Sequence, residues 1–225
     1  MKAIILAGGK GTRLPESAKD IPKALVKINK ELSIVDHQLN LLKKHGIEDV
    51  IFALGFRNEQ LIDHINGKYE YVVEDTPLGT GGAIKYASKG LTEPFLVLNG
   101  DILSDLDFTS FMSHFNEKSP ILGALSVFWM ENASDYGLIT HKEGIIGSFY
   151  EKPKKPVSGH INTGFYILNP EVFKDKKEDS FSVEKDIFPE LARKKLLSAY
   201  IHEGKWTDAG TEDRLKAARE TDWLK

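Results

Sequence analysis

The side chains best placed for chemistry in this chain are cations and carboxylates set beside glycines. Leu6-Ala7-Gly8-Gly9-Lys10-Gly11-Thr12-Arg13-Leu14 brings three glycines within four positions and two cations among them. Glycine reaches φ > 0 and lets backbone N–H groups approach an anion with no Cβ in the way. Such a loop, with Lys10 and Arg13 in it, suits a polyphosphate, and Lys23 of Ile21-Pro22-Lys23 can return a third cation to the same place. The spacing matches neither G-x-G-x-x-G nor GxxxxGK[ST]. A plain glycine-rich turn after a first strand therefore stays open on this stretch alone.

Carboxylates follow at strand ends. Asn99-Gly100-Asp101 puts one after a buried apolar run, and Trp206-Thr207-Asp208 offers a second. Magnesium is usually held by one or two carboxylates plus substrate phosphates, so Asp101 and Asp208 are the candidate ligands, with a helix cap or a turn as the plainer alternative. Glu151-Lys152-Pro153 pairs an acceptor for hydroxyls with a cation for a phosphate, although two exposed strand-end charges would look the same. Asn162-Thr163-Gly164 adds a small polar residue and a point of close approach. A second glycine-rich stretch, Glu74-Asp75-Thr76-Pro77-Leu78-Gly79-Thr80-Gly81-Gly82-Ala83, can read a base edge or simply start a helix after a Pro turn. The histidines at 37, 45, 64, 114, 141, 160 and 202 have no metal-ligand spacing and read as surface or helix residues.

These groups need a scaffold that gathers strand ends. Lys2–Leu6, 50–54, 69–73 and 95–98 read as strands, and 34–45, 58–65 and 82–88 as helices. This alternation predicts an α/β fold with a mostly parallel sheet and helices on both faces, whose ligands lie at the carboxyl ends of the strands. After residue 120 the rhythm changes to strands at 121–128, 136–140, 145–150 and 161–168, expected to join the core sheet, some of them antiparallel so that the sheet is mixed, and to form a small antiparallel lid over the crevice. A helix at 183–194, a strand at 197–201 and a helix at 211–222 complete the reading, with the charged run 174–179 as a solvated loop. No linker or repeat divides the 225 residues, so one domain is expected. The net charge of −3 argues against nucleic-acid binding. Zero cysteines exclude disulfides and thiolate sites, no apolar run could span a membrane, and a cytoplasmic location is expected.

Taken together, the motifs resemble the sugar-1-phosphate nucleotidyltransferases over nearly the whole chain. The resemblance rests on 6–14, Pro22-Lys23, Pro77-Leu78-Gly79-Thr80-Gly81-Gly82, Asn99-Gly100-Asp101, Glu151-Lys152-Pro153, Asn162-Thr163-Gly164 and 206–211, in the family's order. It is nearest to the short guanylyltransferases of mannose- and D-glycero-D-manno-heptose 1-phosphates. The fold it implies is the Rossmann-like nucleotide-diphospho-sugar transferase fold, with a nucleotide lobe over about 1–120 and a sugar-phosphate lobe over about 121–225. Implied nucleotide contacts are Leu6, Ala7, Gly8, Gly9, Gly11, Thr12, Arg13, Glu74, Pro77, Gly79 and Thr80, with Arg13 and Lys23 as the catalytic cations. Asn99, Gly137, Glu151, Lys152, Asn162 and Gly164 would bind the sugar phosphate, and Asp101 with Asp208 would hold Mg²⁺.

The implied reaction is in-line attack of a sugar-phosphate oxygen on the α-phosphorus of a nucleoside triphosphate, with loss of pyrophosphate. That nucleophile is ionised at neutral pH, so alignment and charge neutralisation suffice. The expected partners are these two small molecules, with a homodimer left open. Some residues depart from the family pattern: Ala24 follows Lys23 where a second Pro is common, and Pro15 directly follows Leu14. Glu74 and Asp75 stand where the thymidylyl and uridylyl branches often carry Gln. A carboxylate accepts from guanine N1 and N2, which favours GTP. A cytidylyl-, thymidylyl- or uridylyltransferase of another sugar or alcohol phosphate and a non-catalytic nucleotide-sugar-binding homologue stay open.

Overall fold

Short, unbroken apolar runs become the buried strands, and where they stop decides where polar residues collect. The computed structural model describes residues 1–9, 20–55, 58–118, 120–153 and 155–223. Strands β1 (Ala3–Ala7), β2 (Val50–Leu54), β3 (Glu70–Val73) and β4 (Phe95–Asn99) form a parallel block in the order β3-β2-β1-β4. Alternate residues of these strands enter opposite faces, as the pleat requires. Ile5, Phe52, Leu96 and Leu98 pack with Phe108 and Phe111 on one side; Ile4, Ile51 and Val97 pack with Tyr166 and Phe188 on the other.

Helix α1 (Ile34–Lys44) starts at a capping box: Ser33 Oγ accepts from the Asp36 amide, and Asp36 accepts from the Ser33 amide. Helix α2 (Asn58–Ile65) leads into β3, and α3 (Gly79–Ala87) into β4. A short strand β5 (Ile102–Ser104) and helix α4 (Phe108–Glu117, capped by Asp107) follow. Both lie outside the elements expected from the sequence. Strand β5 is too short for its period to register.

The second half adds its strands to the core sheet, most of them antiparallel, as expected. Strands β6 (Gly123–Met130), β7 (Gly137–Lys142), β8 (Ile145–Glu151), β9 (Gly159–Leu168) and β10 (Leu197–Ile201) continue the same sheet, in the order β4-β9-β6-β10-β8-β7. Only β6–β10 is parallel here; the β4–β9, β6–β9, β8–β10 and β7–β8 pairs are antiparallel. Strand β7 also pairs with β9, through Leu138↔Ile161 and Ile139↔His160, so this end of the sheet curls back on itself. "Mostly parallel" thus holds for the first half and fails for the second, because hairpin turns return the chain antiparallel.

The expected helix at 183–194 is a π-helical turn (Val183–Ile187) followed by α5 (Phe188–Arg193). Pro189 has no N–H to give to a regular ladder across that junction. Strand β11 (Trp206–Asp208) pairs antiparallel with β5, and α6 (Glu212–Glu220) starts from a Thr211 cap. Two of the histidines read as surface or helix residues are buried around this pair. His37 Nε2 lies 2.8 Å from Ser104 O, and His202 Nε2 lies 3.0 Å from Ser104 Oγ and 3.0 Å from Lys205 O.

Candidate active site

All four parallel strands release the chain at one edge of the sheet, and the expected nucleotide residues meet there. A cleft of about 690 Å³ is lined by Leu6 to Gly9 at the end of β1, Gly55 after β2, Glu74 to Pro77 after β3, and Asn99 to Asp101 at the end of β4. Gly79 and Thr80 of α3 and Lys23 also line it. Gly11, Thr12 and Arg13 belong to residues 10–19, which lie outside the described residues.

Three local features hold Asp101 at this cleft. The Gly100 amide donates to Leu6 O at 2.9 Å, and a Cβ at Gly100 would sit 2.5 Å from that oxygen. Only glycine lets the turn lie against the end of β1. From α1, the buried Gln38 amide donates to Asn99 O at 2.8 Å and Ile102 O at 2.9 Å, gripping both sides of the turn. On the open side the Lys23 ammonium is bonded to the Asp101 carboxylate. Lys23 opens a 3₁₀ turn directly after Pro22.

Glu74 closes the opposite wall. Its Oε2 accepts from the Leu78 amide at 2.9 Å, and its Oε1 stands near Gly8, where an added Cβ would lie 3.3 Å away. Burial raises its pKa above the ordinary carboxylate range, and the Leu78 hydrogen bond opposes that rise.

The second glycine-rich stretch starts a helix: it forms the first turn of α3, where Gly79 and Thr80 face the cleft while Gly81 and Gly82 make room for protein. A Cβ at Gly81 would meet the Phe181 ring at 2.3 Å, and one at Gly82 would meet Asp179 O at 2.1 Å. The Gly81 amide is already used by Phe181 O at 3.0 Å. The charged run 174–179 is accordingly tethered, because Lys85 Nζ donates to Lys176 O at 3.0 Å and Glu178 O at 3.1 Å.

The expected sugar-phosphate residues form an adjoining group outside the lining of the cleft, except Asn99, which belongs to both. Asn99 and Asn162 amides donate to Tyr166 Oη at 3.3 and 3.1 Å. Gly164 has φ +86°, and a Cβ there would lie 2.8 Å from Asn99 Nδ2, so this glycine admits Asn99. Gly137 abuts Phe149 and Glu151: its Cβ would lie 3.1 Å from Glu151 Oε2. Lys152 has φ +51°, and its ammonium is 3.8 Å from Glu151 Oε1. Burial, then the nearby Glu184 carboxylate, push the Glu151 pKa up, while Lys152 and Lys185 offset part of the rise.

Asp208 is placed differently from Asp101. The β5–β11 ladder brings their backbones together, and the Ala209 amide donates to Asp101 O at 2.8 Å. Its carboxylate, however, is committed to the chain's own donors. Gly210 N reaches Oδ1 at 2.7 Å, Tyr136 Oη reaches Oδ2 at 2.7 Å, and Arg214 Nη1 lies 3.2 Å from Oδ2. Arg214 also bonds Asp135 at 2.7 Å and covers the Tyr136 ring. Burial and the Asp208 charge raise the Tyr136 pKa far above that of a free phenol.

For a magnesium ion the fit is therefore uneven. Asp101 faces the cleft, where phosphates could complete the coordination; the Asp208 carboxylate already accepts from three protein donors. No group of three His, Asp or Glu side chains suited to a metal exists among the described residues. Sequence reasoning missed Gln38, Tyr136, Tyr166 and Arg214. Gln38 carried a signal, since it is a polar residue on the apolar face marked by Ile34, Val35, Leu41 and Leu42.

The strands, cleft and carboxylates place the candidate site at the carboxyl edge of an α/β sheet. A putative glucose-1-phosphate thymidylyltransferase from Bacillus anthracis shares the fold, with a TM-score of 0.88 at 24% identity over 100% of this chain and 97% of that one. HddC from Yersinia pseudotuberculosis superposes with a TM-score of 0.83 at 30% identity, covering 97% of this chain and 98% of that one. HddC has also been crystallised in complex with GMP-PN. A mannose-1-phosphate guanyltransferase from Yarrowia lipolytica is 37% identical over 223 residues, 93% of this chain and 61% of that protein. The chain thus spans about 61% of the length of that relative. The Nucleotidyl transferase family model matches residues 2–223, and the chain belongs to that family. No helix among the described residues is long and apolar enough to cross a membrane.

Proposed function

We infer that this chain transfers a nucleoside monophosphate from a nucleoside triphosphate to a sugar 1-phosphate, releasing pyrophosphate. The observation that carries this reading is the Lys23–Asp101 pair at the end of β1 and β4, in a cleft large enough for a nucleotide. Residues 1–120 would hold the nucleotide and 121–225 the sugar phosphate, with Asn99 belonging to both groups.

The amides of Gly8 and Gly9 and the Lys23 ammonium would take the phosphates, with Thr12 and Arg13 assisting. Asp101 would hold Mg²⁺ together with the phosphates, and Asp208 stands next to it along the backbone. The ion would supply neutralisation of phosphate charge. Glu74 would accept from the base, which favours guanine, and the GMP-PN complex of HddC supports the same choice. Glu151 would accept hydroxyl protons, and Lys152 would meet the sugar phosphate. A manno- or heptose-configured sugar is favoured by the mannose-1-phosphate guanyltransferases among the relatives. Alignment of two anions then completes the chemistry without a general base.

The test is pyrophosphate release with Mg²⁺ from GTP, CTP, UTP, dTTP and ATP, each paired with mannose-, heptose-, glucose- and N-acetylglucosamine 1-phosphates. Release confined to GTP and a manno-type sugar is the expected result. Release with UTP or dTTP and a gluco sugar would keep the class and overturn the base assignment. Silence throughout would overturn the transferase reading.

A further inference from the structure

One carboxylate beside the sugar group has no task in the mechanism above. Glu184 lies in the π-helical turn Val183–Ile187, and such turns gather at functional sites. Two hydroxyls converge on its Oε2: Thr80 Oγ1 donates at 2.5 Å and Ser182 Oγ at 2.7 Å. Thr80 is itself part of the cleft lining. The π turn packs against α3 on one side and against β8, which ends in Glu151, on the other. Its Oε1 has no hydrogen-bond donor among the described residues.

Both carboxylates are half-buried, and close enough for the Glu184 charge to act on Glu151; like charges in such a setting repel and lose hydration, so they stabilise nothing by themselves. The charge of Glu184 is felt at Glu151 and at Tyr166, where it adds to burial in favouring the protonated forms. Nearby, Asn99 Oδ1 is also buried without a partner. The shared need of these groups is hydrogen-bond donors, and adjacent hydroxyls of a sugar ring supply them in pairs.

We propose that Glu184 is a specificity-determining residue which, together with Glu151, accepts hydrogen bonds from neighbouring hydroxyls of the sugar phosphate. This rests on the sugar 1-phosphate reading above. The tether from Thr80 and Ser182 fixes one oxygen and leaves the other for a ligand donor. It also ties the hydroxyl acceptor to the nucleotide cleft through α3.

The experiment compares wild type with Glu184→Gln, which keeps an oxygen for Thr80 and Ser182. Turnover of each sugar 1-phosphate is measured with its deoxy analogues, alongside calorimetric binding of the sugar phosphate to protein saturated with a non-reactive nucleotide analogue. The expected result is about a tenfold weaker affinity and a raised KM for the sugar phosphate, with the KM for nucleotide and the melting temperature unchanged. One deoxy analogue should lose affinity in wild type and lose no more in the variant, which marks the hydroxyl involved. Sugar-phosphate affinity equal to wild type, or a loss shared by both substrates and all analogues, overturns the role of Glu184 alone. A wild-type protein that neither binds nor turns over any sugar 1-phosphate overturns the parent reading and this one with it.

Discussion

Replacing Gln38 by Leu isolates what positions Asp101. Gln38 is 1% exposed, and its side-chain amide spans two carbonyls that bracket the Asp101 turn. Losing two hydrogen bonds of this kind costs about 2 kcal/mol. Leu also removes Gln38 Oε1, which is buried without a partner, and that recovers about 1 kcal/mol. The net loss of about 1 kcal/mol corresponds to a melting temperature lower by roughly 2–4 °C for a chain of this size. The functional loss should be larger in proportion, because an ångström of misplacement can cost about 100-fold in rate. We expect kcat for pyrophosphate release to fall about 10- to 100-fold, with a higher Mg²⁺ requirement and little change in the KM for sugar phosphate. Gln38→Glu, which offers no donor to either carbonyl, should be worse on both counts. Urea unfolding and a magnesium titration of turnover are the assays. A Gln38→Leu protein that loses stability but keeps wild-type kcat and magnesium dependence would refute the positioning role.

Gly82→Ala should destabilise by about 1–3 kcal/mol, since its Cβ would sit 2.1 Å from Asp179 O, and denaturant unfolding reads this directly. Glu74 has a pKa raised by burial, so its contribution to stability is full below the unfolded carboxylate range and declines as pH rises toward the folded value. Glu74→Gln should therefore melt no lower than wild type at neutral pH, while GTP selectivity over UTP falls about tenfold; a lower melting temperature or intact selectivity contradicts this. Asp208→Asn should lose about 2 kcal/mol, because Tyr136 and Arg214 keep only a neutral partner, and should cut turnover strongly. Near-normal turnover in a folded Asp208→Asn protein would remove this residue from metal binding.

What the sequence made legible follows from locality. Strands β1, β2 and β4 are unbroken apolar runs, so their ends, and the cleft lined by Gly8, Glu74 and Asp101, could be placed from pattern alone. Glycines are harder to interpret, because absence of a side chain serves a ligand and a neighbouring backbone equally. Gly81 and Gly82 resemble a ligand loop in sequence, and the groups they make room for, Phe181 and Asp179, lie far along the chain. Asp208 shows the same difficulty. Its residue type suits a cation, and only the fold reveals that Tyr136 and Arg214 already surround it. The ring formed by β7 and β9 depends on pairings between distant hairpins, which no local period encodes.

The position of β10 has a consequence for how the chain is made. This strand, Leu197–Ile201, lies between β6 and β8 in the interior of the sheet, although both neighbours precede it in the chain. During synthesis β6 and β8 must wait with open edges until it arrives, a slow, non-local closure that invites mispairing. Strand β11 then docks on β5, which is older still, and brings Asp208 beside Asp101. A nascent chain can thus form the cleft at the ends of the parallel strands early and gain Asp208 last, so closure of the sheet and the arrival of Asp208 beside Asp101 both fall late in assembly.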